Sequence, residues 1–230
     1  MFSSSLRHER RRTEAIRTHD PESSARLRSM SSHTIAVLLA AGAGSRFAGA
    51  DHKLDAVLDG STVAEHAVRA ALDADIGPVV VVTGASTPTL SSLTSELTDD
   101  RVTLVHNPRW AEGQSTSLRA AVAAADARHA HAIVVGLADQ PFVTTDAWRA
   151  VAASRSAIAV ARYDDGPRNP VRLHRSVWPL LPTSGDHGAR HLIRLRPELV
   201  EQVPCVGSAA DIDTLEDLRS WQNRSSTNSP

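Results

Sequence analysis

The sequence is poor in cysteine, which restricts the sites that it can form. Cys205 is the single cysteine among 230 residues. This excludes an intramolecular disulfide, and it excludes zinc or iron–sulfur sites built from several cysteines. Because chains without disulfides are typical of reducing compartments, we expect a cytoplasmic protein.

Long hydrophobic runs and a net charge of either sign are also lacking. The longest apolar stretch, 35–43, is far shorter than the roughly 20 residues that a membrane helix needs. The 25 basic and 26 acidic side chains give a formal net charge of −1, so there is no electrostatic basis for binding nucleic acid. We therefore expect neither a membrane nor a nucleic acid as partner.

Lysine is nearly absent from the chain. Lys53 is the one lysine, so the other 24 of the 25 basic side chains are arginine. A GC-rich genome is consistent with this bias, because arginine and alanine have GC-rich codons. The location of the one lysine is therefore a question in its own right.

The two ends of the chain differ from its middle. The first 30 residues carry seven arginines and four acids, with few apolar residues, which predicts a disordered basic tail over 1–33. An upstream extension before a true start at Met30 and a functional basic arm are the alternatives. The polar residues 222–230 predict a loose C-terminal tail, and 34–221 are expected to form one domain.

Strand and helix patterns alternate through the middle of the chain. Apolar runs predict strands at 34–40, 78–83, 102–105, 132–137, 157–162 and 171–173. Helical spacing, with Ser61 or Thr62 as the first N-cap, predicts helices at 61–74, 88–97, 115–125, 145–153, 186–195 and 215–221. Such alternation forms right-handed βαβ units, so we expect a three-layer Rossmann-like α/β fold with a mostly parallel sheet.

A glycine-rich loop follows the first strand. The sequence LAAGAGSRF carries Gly42, Gly44 and Arg46, and Lys53 follows six residues after its end. Glycines at this place allow backbone N–H groups to approach a phosphate closely. Two nearby cations favour a polyphosphate ligand, and a simple strand-to-loop turn is the alternative.

The glycine loop does not match two common nucleotide-binding motifs. Gly44 and Gly49 have the spacing of a P-loop, but Ala50 stands where that motif requires lysine. Phe47 occupies the third glycine position of a dinucleotide fingerprint.

Two acidic motifs could hold a metal ion. Asp139, in GLADQPF, follows a predicted strand, where a carboxylate can hold Mg²⁺ against substrate phosphates; capping of a turn is the alternative. Asp211 and Asp213, in DIDTLED, would face one side if the segment is extended, and one of them is a candidate ligand. Thr214 and Asp217 fit a helix N-cap with an acidic third residue.

Five motifs together resemble one family. LAAGAGSRF with Lys53, GLADQPF, PVRLHRSVWPLL, SGDHGAR and DIDTLEDL occur in that family's order over about 34–218. They resemble the molybdenum cofactor nucleotidyltransferases, or MobA-like NTP transferases, and are most similar to the cytidylyltransferase branch. The resemblance implies the nucleotide-diphospho-sugar transferase fold. It also implies Mg²⁺-dependent transfer of CMP from CTP to the phosphate of molybdopterin cofactor, with release of pyrophosphate.

The resemblance also implies roles for individual residues. Lys53, Arg46 and Asp139 would be catalytic, with both cations on the triphosphate, and Asp139 and Asp213 would hold Mg²⁺. The nucleotide-binding candidates are Ala40, Ala41, Gly42, Gly44, Arg46, Lys53, Gly84, Asn107, Gly113, Gln114 and Ser117. Asp186 and Gly188 would lie on the pterin side. Trp110 is the one tryptophan that we expect near a pocket.

Departures from the family leave alternatives open. Asn169 stands where the family often has histidine, and Leu215 replaces the usual proline of the last motif. Ala41 favours CTP, because guanylyl-transferring relatives usually have LAGG. The alternatives are GTP as donor, an acceptor such as a sugar phosphate, methylerythritol phosphate or phospholactate, and a non-catalytic nucleotide-binding module. A molybdoenzyme or its chaperone is a further implied partner.

Overall fold

A computed structural model describes residues 34–47, 52–98 and 100–227. The tail predicted over 1–33 and the loop residues Gly49 and Ala50 lie outside the described residues, as do the last three residues of the predicted C-terminal tail. Among the helices that are described, none is long and apolar enough to span a membrane.

A seven-stranded sheet forms the centre of the described chain. Its strands are β1 (Thr34–Ala40), β4 (Val79–Thr83), β5 (Val102–His106), β6 (Ala132–Leu137), β7 (Ile158–Tyr163), β8 (Gly166–His174) and β9 (Val200–Pro204). Their order is β5-β4-β1-β6-β8-β7-β9, with β8 antiparallel to both neighbours and every other pair parallel. Two short strands, β2 (Val57–Leu58) and β3 (Ser61–Thr62), form a separate antiparallel pair. The prediction of a mostly parallel α/β sheet is confirmed.

Helices cover both faces of the sheet. They are α1 (Val63–Asp73), α2 (Thr94–Thr98), α3 (Gln114–Ala127), α4 (Thr145–Ala153), α5 (Arg190–Leu195) and α6 (Leu215–Thr227). Alternate residues of β1 enter two separate cores: Ala36 and Leu38 pack with α1 and α4, whereas Ile35 and Val37 pack with α3 and α5. This double burial explains why the strands are apolar without alternation.

Helix α1 begins with a reciprocal cap. Thr62, one of the two predicted N-caps, accepts from the N–H of Glu65 at 3.1 Å, and the Glu65 carboxylate accepts from the N–H of Thr62 at 2.9 Å. The same carboxylate accepts from the N–H of Ser92 at 2.7 Å. Burial would raise the pKa of Glu65, but these N–H donors outweigh it and hold the pKa below its ordinary value.

Several element boundaries differ from the sequence prediction. The helix predicted at 88–97 is a 3₁₀ turn at Ser91–Leu93 followed by α2. The helix predicted at 186–195 begins at Arg190, because Gly188 has a left-handed φ of 50° that an α-helix does not accept. The strand predicted at 171–173 is the longer β8, and β9 was not predicted. Helix α6 extends beyond Trp221, so 222–227 of the predicted loose tail are helical.

Candidate active site

The carboxyl ends of four parallel strands lie side by side. In the sheet register, Ala40 of β1 is opposite Thr83 of β4, Thr83 is opposite His106 of β5, and Leu39 is opposite Leu137 of β6. The segments that follow these strands contain most of the predicted site residues. They therefore meet at one edge of the sheet, where open α/β folds bind their ligands.

Four charged side chains from distant segments form an ion cluster, here called the charge cluster: Arg46, Lys53, Asp139 and Asp213. The Lys53 ammonium donates to Asp139 Oδ2 at 2.6 Å and to Asp213 Oδ1 at 2.8 Å. Arg46 Nη2 lies 2.9 Å from Asp213 Oδ2. The Lys53 side chain is 12% exposed, whereas Arg46 is 76% exposed. The sequence predicted that both cations bind triphosphate; the structure places both against carboxylates.

Electrostatics favour the charged form of the lysine. Burial lowers the pKa of Lys53, but the adjacent carboxylates of Asp139 and Asp213 outweigh this and hold the pKa above its ordinary value. The ammonium is therefore a permanent positive charge between two carboxylates at neutral pH.

His52 connects the lysine to the glycine loop. Its ring Nδ1 accepts from the N–H of Leu54 at 3.3 Å and caps the 3₁₀ turn Lys53–Asp55. This assigns the ring proton to Nε2, which donates to the carbonyl of Gly42 at 3.1 Å. The buried Leu54 anchors the same turn in the core. His52 was not predicted, and its place immediately before Lys53 was the available signal.

The carboxylates of the charge cluster are suited to a divalent metal ion. Asp139 Oδ1 is buried and accepts no hydrogen bond from the described residues. Within 34–47, 52–98 and 100–227, no group of three or more His, Cys, Asp or Glu side chains is arranged as a metal site. A metal held here would therefore use Asp139 and Asp213 together with substrate oxygens, which is the usual way in which Mg²⁺ is bound.

A cap on helix α6 positions Asp213. Thr214 Oγ1 accepts from the N–H of Asp217 at 3.1 Å. The Asp217 carboxylate in turn accepts from the N–H groups of Asp213 at 3.1 Å and of Thr214 at 2.8 Å. The predicted cap is confirmed, and it fixes the backbone from which the Asp213 side chain reaches Lys53.

Two adjoining cavities extend from the charge cluster. The first, here called the loop cavity, has a volume of about 190 Å³. Predicted residues on its wall are Ala40, Gly42, Gly44, Arg46, Lys53, Asp139 and Asp213. The second, here called the main cleft, has a volume of about 360 Å³. Predicted residues on its wall are Ala41, Gly42, Trp110, Gly113, Gln114, Ser117, Asp139 and Asp186. Leu39, Gly42 and Asp139 line both, so the two cavities adjoin.

The far end of the main cleft opens into an apolar slot. Leu39, Gln114 and Leu137 line both spaces. The slot has a volume of about 40 Å³. Asn169, Arg190 and the predicted acceptor residue Gly188 also line it. The rest of its wall is apolar: Leu118, Val135, Val171, Ala189 and Ile193. The predicted acceptor residues Asp186 and Gly188 thus lie in adjoining parts of one groove.

Two predicted nucleotide-binding residues lie behind the cavity walls. A side chain at Gly84 would place its Cβ 2.5 Å from Trp110 Cβ and 2.7 Å from Ala41 Cβ, so glycine allows these two wall residues to approach. Asn107 is buried, and its amide donates to Thr116 Oγ1 at 2.9 Å and to Ser117 Oγ at 3.0 Å. Both residues shape the cleft without lining any of the three spaces described above.

The SGDHGAR segment docks on the start of helix α3. The N–H of Ser115 donates to the carbonyl of Gly185 at 2.9 Å, and the N–H of Gly185 donates to the carbonyl of Glu112 at 3.0 Å. Gly113 has φ 107°, and a Cβ there would lie 2.5 Å from the Gly185 oxygen. Gly113 is therefore required for this contact, which brings Asp186 to the main cleft.

Gln140 makes a buried contact network that the sequence did not reveal. Its Nε2 donates to the carbonyl of Ala209 at 3.1 Å and to Asp211 Oδ1 at 2.9 Å, and its Oε1 accepts from Asn169 at 3.2 Å. Burial, with a smaller contribution from the charge of Asp139, raises the pKa of Asp211. Asp211 thus bonds to Gln140 while Asp213 bonds to Lys53, which favours Asp213 as the ligand. The one signal for Gln140 was its position next to Asp139.

Comparisons with known proteins support a common fold and family. Among solved structures, Rv0371c from Mycobacterium tuberculosis H37Rv is 27% identical, with a TM-score of 0.66 over 83% of this chain and 97% of that one. A manganese complex of the same protein is 25% identical, with a TM-score of 0.59 over 83% and 98%. A nucleotidyl transferase from Methanothermobacter thermautotroptrophicus, Mth528, is 24% identical, with a TM-score of 0.69 over 85% and 99%. A search of curated protein sequences gave no match.

The matched family covers most of the chain. Residues 36–203 match the MobA-like NTP transferase domain. This segment contains Arg46, Lys53 and Asp139 of the charge cluster, together with the glycine loop and every wall residue of the main cleft. This match extends over well over half of the sequence, so the chain belongs to the MobA-like NTP transferase family.

Proposed function

We propose that this protein transfers CMP from CTP to the terminal phosphate of molybdopterin cofactor and releases pyrophosphate. The observation that carries the proposal is the charge cluster, which lies beside the glycine loop and lines the two adjoining cavities. Family membership supports nucleotidyl transfer as the reaction class. The cytidylyl and molybdopterin specificities rest on the sequence motifs, and the cysteine content favours a cytoplasmic site of action.

The reaction needs charge neutralisation more than proton transfer. The nucleophile is an anionic phosphate oxygen of the acceptor; it forms a bond to the α-phosphorus while the bond from that phosphorus to the pyrophosphate oxygen breaks. No general base is needed, because the attacking oxygen carries no proton. The obstacle is repulsion between two anions, so fixed cations and backbone N–H groups provide most of the catalysis.

Arg46 and Lys53 would have different duties in this step. Arg46 is mostly exposed on the glycine loop, so its planar guanidinium is free to turn from Asp213 to phosphate oxygens. Lys53 is mostly buried, and its compact ammonium lies at the junction of the loop cavity and the carboxylates. We infer that both cations contact the triphosphate when CTP is bound.

Mg²⁺ is the proposed cofactor, with Asp139 and Asp213 as its protein ligands. When bound, it supplies positive charge to phosphate oxygens in the transition state. The buried, unpartnered Oδ1 of Asp139 supports this assignment. The manganese complex of Rv0371C supports the use of a divalent ion in a relative of this chain.

The groove has room for an acceptor beyond the nucleotide. Trp110, Gln114 and Asp186 line the main cleft, and the apolar slot continues from it past Gln114. A flat heterocycle such as a pterin has an apolar face and polar edges, which suits aromatic and apolar walls with a few polar groups. We therefore assign the acceptor to the end of the main cleft that adjoins the slot. A molybdoenzyme or its chaperone is the proposed recipient of the product.

Ala41 provides a test of the base preference. It lines the main cleft, and both its methyl group and the Cβ of Trp110 lie close to Gly84. Replacing it by glycine (Ala41→Gly) recreates the LAGG sequence and removes this methyl group from the wall. We expect the ratio of GTP to CTP turnover to rise at least tenfold. An unchanged ratio would show that this position does not select the base.

Pyrophosphate release with defined substrates tests the proposed activity. The purified protein is incubated with Mg²⁺, one of the four NTPs and molybdopterin cofactor; parallel reactions contain a sugar phosphate, methylerythritol phosphate or phospholactate as acceptor. CTP-selective release with molybdopterin cofactor is expected, and Asp139→Ala should abolish it. Release with another acceptor alone would overturn the proposed substrate, and nucleotide binding without any release would indicate a non-catalytic module.

A further inference from the structure

Gln140 stands at the junction of three segments of the site. It follows Asp139 directly, its Nε2 reaches the segment that carries Asp213, and its Oε1 reaches Asn169 on β8. The side chain is 3% exposed. A buried amide with three hydrogen-bond partners in two other segments has a fixed position and a fixed orientation.

The orientation of this amide follows from its partners. The backbone carbonyl of Ala209 can only accept a hydrogen bond, so the NH₂ group must face it. The second N–H then points to Asp211, and the oxygen is left for the Asn169 amide. Each partner therefore needs the group that Gln140 presents to it, and a glutamate of the same shape would present the wrong charge and no donor.

The contacts of Gln140 hold the two carboxylate segments together. The N–H of Ile212 donates to the carbonyl of Asp139 at 2.8 Å, and the Gln140 bonds to Ala209 and Asp211 hold the residues that immediately precede this contact. Asp213 follows immediately, so its distance from Asp139 depends on how firmly 209–212 are held. The separation of the Asp139 and Asp213 carboxylates thus depends on contacts that lie outside the charge cluster.

The third contact extends this effect to the groove. Asn169 donates to Gln140 and also lines the apolar slot beside Gly188. Asn169 stands where the family that the motifs resemble often has histidine. One buried amide therefore connects the carboxylate pair to a wall of the proposed acceptor pocket.

We propose that Gln140 is a positioning residue, which sets the spacing of Asp139 and Asp213 for a divalent ion and holds Asn169 at the acceptor wall. The metal part stands on the charge cluster, whereas the acceptor part rests on the proposed function. Replacing a residue that orients the metal ligands, without itself binding the metal, typically weakens metal binding about 10–100-fold. The Asp211 side chain acts in this network as the hydrogen-bond acceptor for the Gln140 amide.

Direct Mn²⁺ binding tests the metal part without substrates. Mn²⁺ affinity is measured by electron paramagnetic resonance for the native chain, Gln140→Leu, Asp211→Asn and Asp211→Ala. We expect Gln140→Leu and Asp211→Ala to weaken Mn²⁺ binding at least tenfold. Asp211→Asn retains an oxygen acceptor for Gln140 and should stay within threefold of the native affinity. Gln202→Leu is the matched control, because it makes the same substitution on β9, where the amide contacts Arg162.

Steady-state kinetics test the acceptor part with CTP and molybdopterin cofactor. Gln140→Leu should raise KM for the acceptor at least fivefold and KM for CTP less than twofold at saturating Mg²⁺. Thermal melting is recorded for every variant. A lower melting temperature with native Mn²⁺ affinity would show a merely structural role and overturn the proposal, as would equal effects of Asp211→Asn and Asp211→Ala.

The two proposals fail in different ways. If the native chain turns over no NTP and acceptor pair, the proposed function fails, while the Mn²⁺ affinities still decide the metal part of the Gln140 proposal. If the native chain is active and Gln140→Leu keeps native Mn²⁺ affinity and native KM values, the Gln140 proposal alone is wrong. If Gln140→Leu does not fold, the contrast between Asp211→Asn and Asp211→Ala provides the answer.

Discussion

Replacing Lys53 by methionine (Lys53→Met) should couple the stability of the protein to divalent metal. The substitution keeps an unbranched side chain and removes the charge that lies 2.6 Å from Asp139 and 2.8 Å from Asp213. In an effective dielectric of about 20, each such contact is an attraction of roughly 6 kcal/mol before desolvation is subtracted. Removing one partner from a buried ion pair costs about 3–5 kcal/mol.

The expected loss of stability for this variant is at or below the lower limit of that range. Asp139 and Asp213 remain 18% and 24% exposed, and Arg46 stays on Asp213. We therefore expect Lys53→Met to lose about 2–3 kcal/mol of unfolding free energy in EDTA. For a chain of this length that is about 5–10 °C in melting temperature.

Mn²⁺ should restore the stability of this variant more than it stabilises the native chain. A divalent ion that used the same carboxylate oxygens would compete with the Lys53 ammonium, and the variant lacks this competitor. At 100 times its Kd, bound Mn²⁺ adds about 2.7 kcal/mol. Urea unfolding of both chains, in EDTA and in Mn²⁺, measures the difference between the two stabilisations.

A cation outside the site provides the control for this experiment. Arg69 pairs with Glu96 at 2.8 Å, so Arg69→Met also leaves a carboxylate without its partner. Mn²⁺ should stabilise this variant no more than the native chain. The reasoning would be refuted if Lys53→Met were as stable as the native chain in EDTA, or if Mn²⁺ stabilised both chains equally.

Three further predictions follow from single contacts. Lys53→Arg should lower kcat at least tenfold, because a planar guanidinium does not reproduce two short contacts to different carboxylates; native kcat would show that any cation suffices. Glu65→Gln should lose about 1–2 kcal/mol at pH 7 in urea unfolding. Because the pKa of Glu65 is lower in the folded than in the unfolded protein, the stability difference between the native chain and Glu65→Gln should be constant above the unfolded pKa of about 4.3. It should vanish as pH falls through the folded pKa, and a loss that did not depend on pH would contradict the role of the Glu65 carboxylate. Gly113→Ala should lower the melting temperature and raise KM for CTP, since its φ is 107° and its Cβ would collide with Gly185; native values of both would contradict the docking role.

Much of the parallel core could be predicted because its signals are local. The bounds of β1, β6 and α4 agree with the sequence prediction. These elements are either continuous apolar runs or helices with a polar residue at the cap. In both cases the burial pattern follows from residues that are near in sequence, so no knowledge of distant contacts is needed.

The elements that were missed depend on distant partners. Strand β9 lies at a sheet edge, and its Glu201 and Gln202 are exposed, so its sequence lacks an apolar run. It forms because β7 offers an unpaired edge. The docking of Gly185 on the start of α3 likewise joins residues that are distant in sequence, and it fixes the segment before the left-handed Gly188 at which the late helix α5 can begin. The pairing of β9 and the docking of Gly185 are therefore not encoded within the segments themselves.

The site shows the same division between local and distant signals. Asp139 was predicted from its position after a strand, and Asp213 was predicted from the family resemblance. Gln140 was missed, because its partner Asp211 lies 71 residues away and its role appears only when both are placed. Spacing alone did not separate Asp211 from Asp213; they differ in the structure because Asp211 bonds to an amide and Asp213 to an ammonium.

The rarity of lysine has a structural counterpart at this site. A guanidinium presents its donors in one plane and fits both oxygens of a single carboxylate. Lys53 instead contacts one oxygen from each of two residues that belong to different segments, in space that leaves 12% of its side chain exposed. A compact ammonium can meet this geometry, and the larger planar group would push the two carboxylates apart. If a mutational bias toward arginine acts on the whole chain, a position that requires an ammonium is where lysine persists. The composition and the contact geometry therefore lead independently to the same residue, which is the centre of the charge cluster.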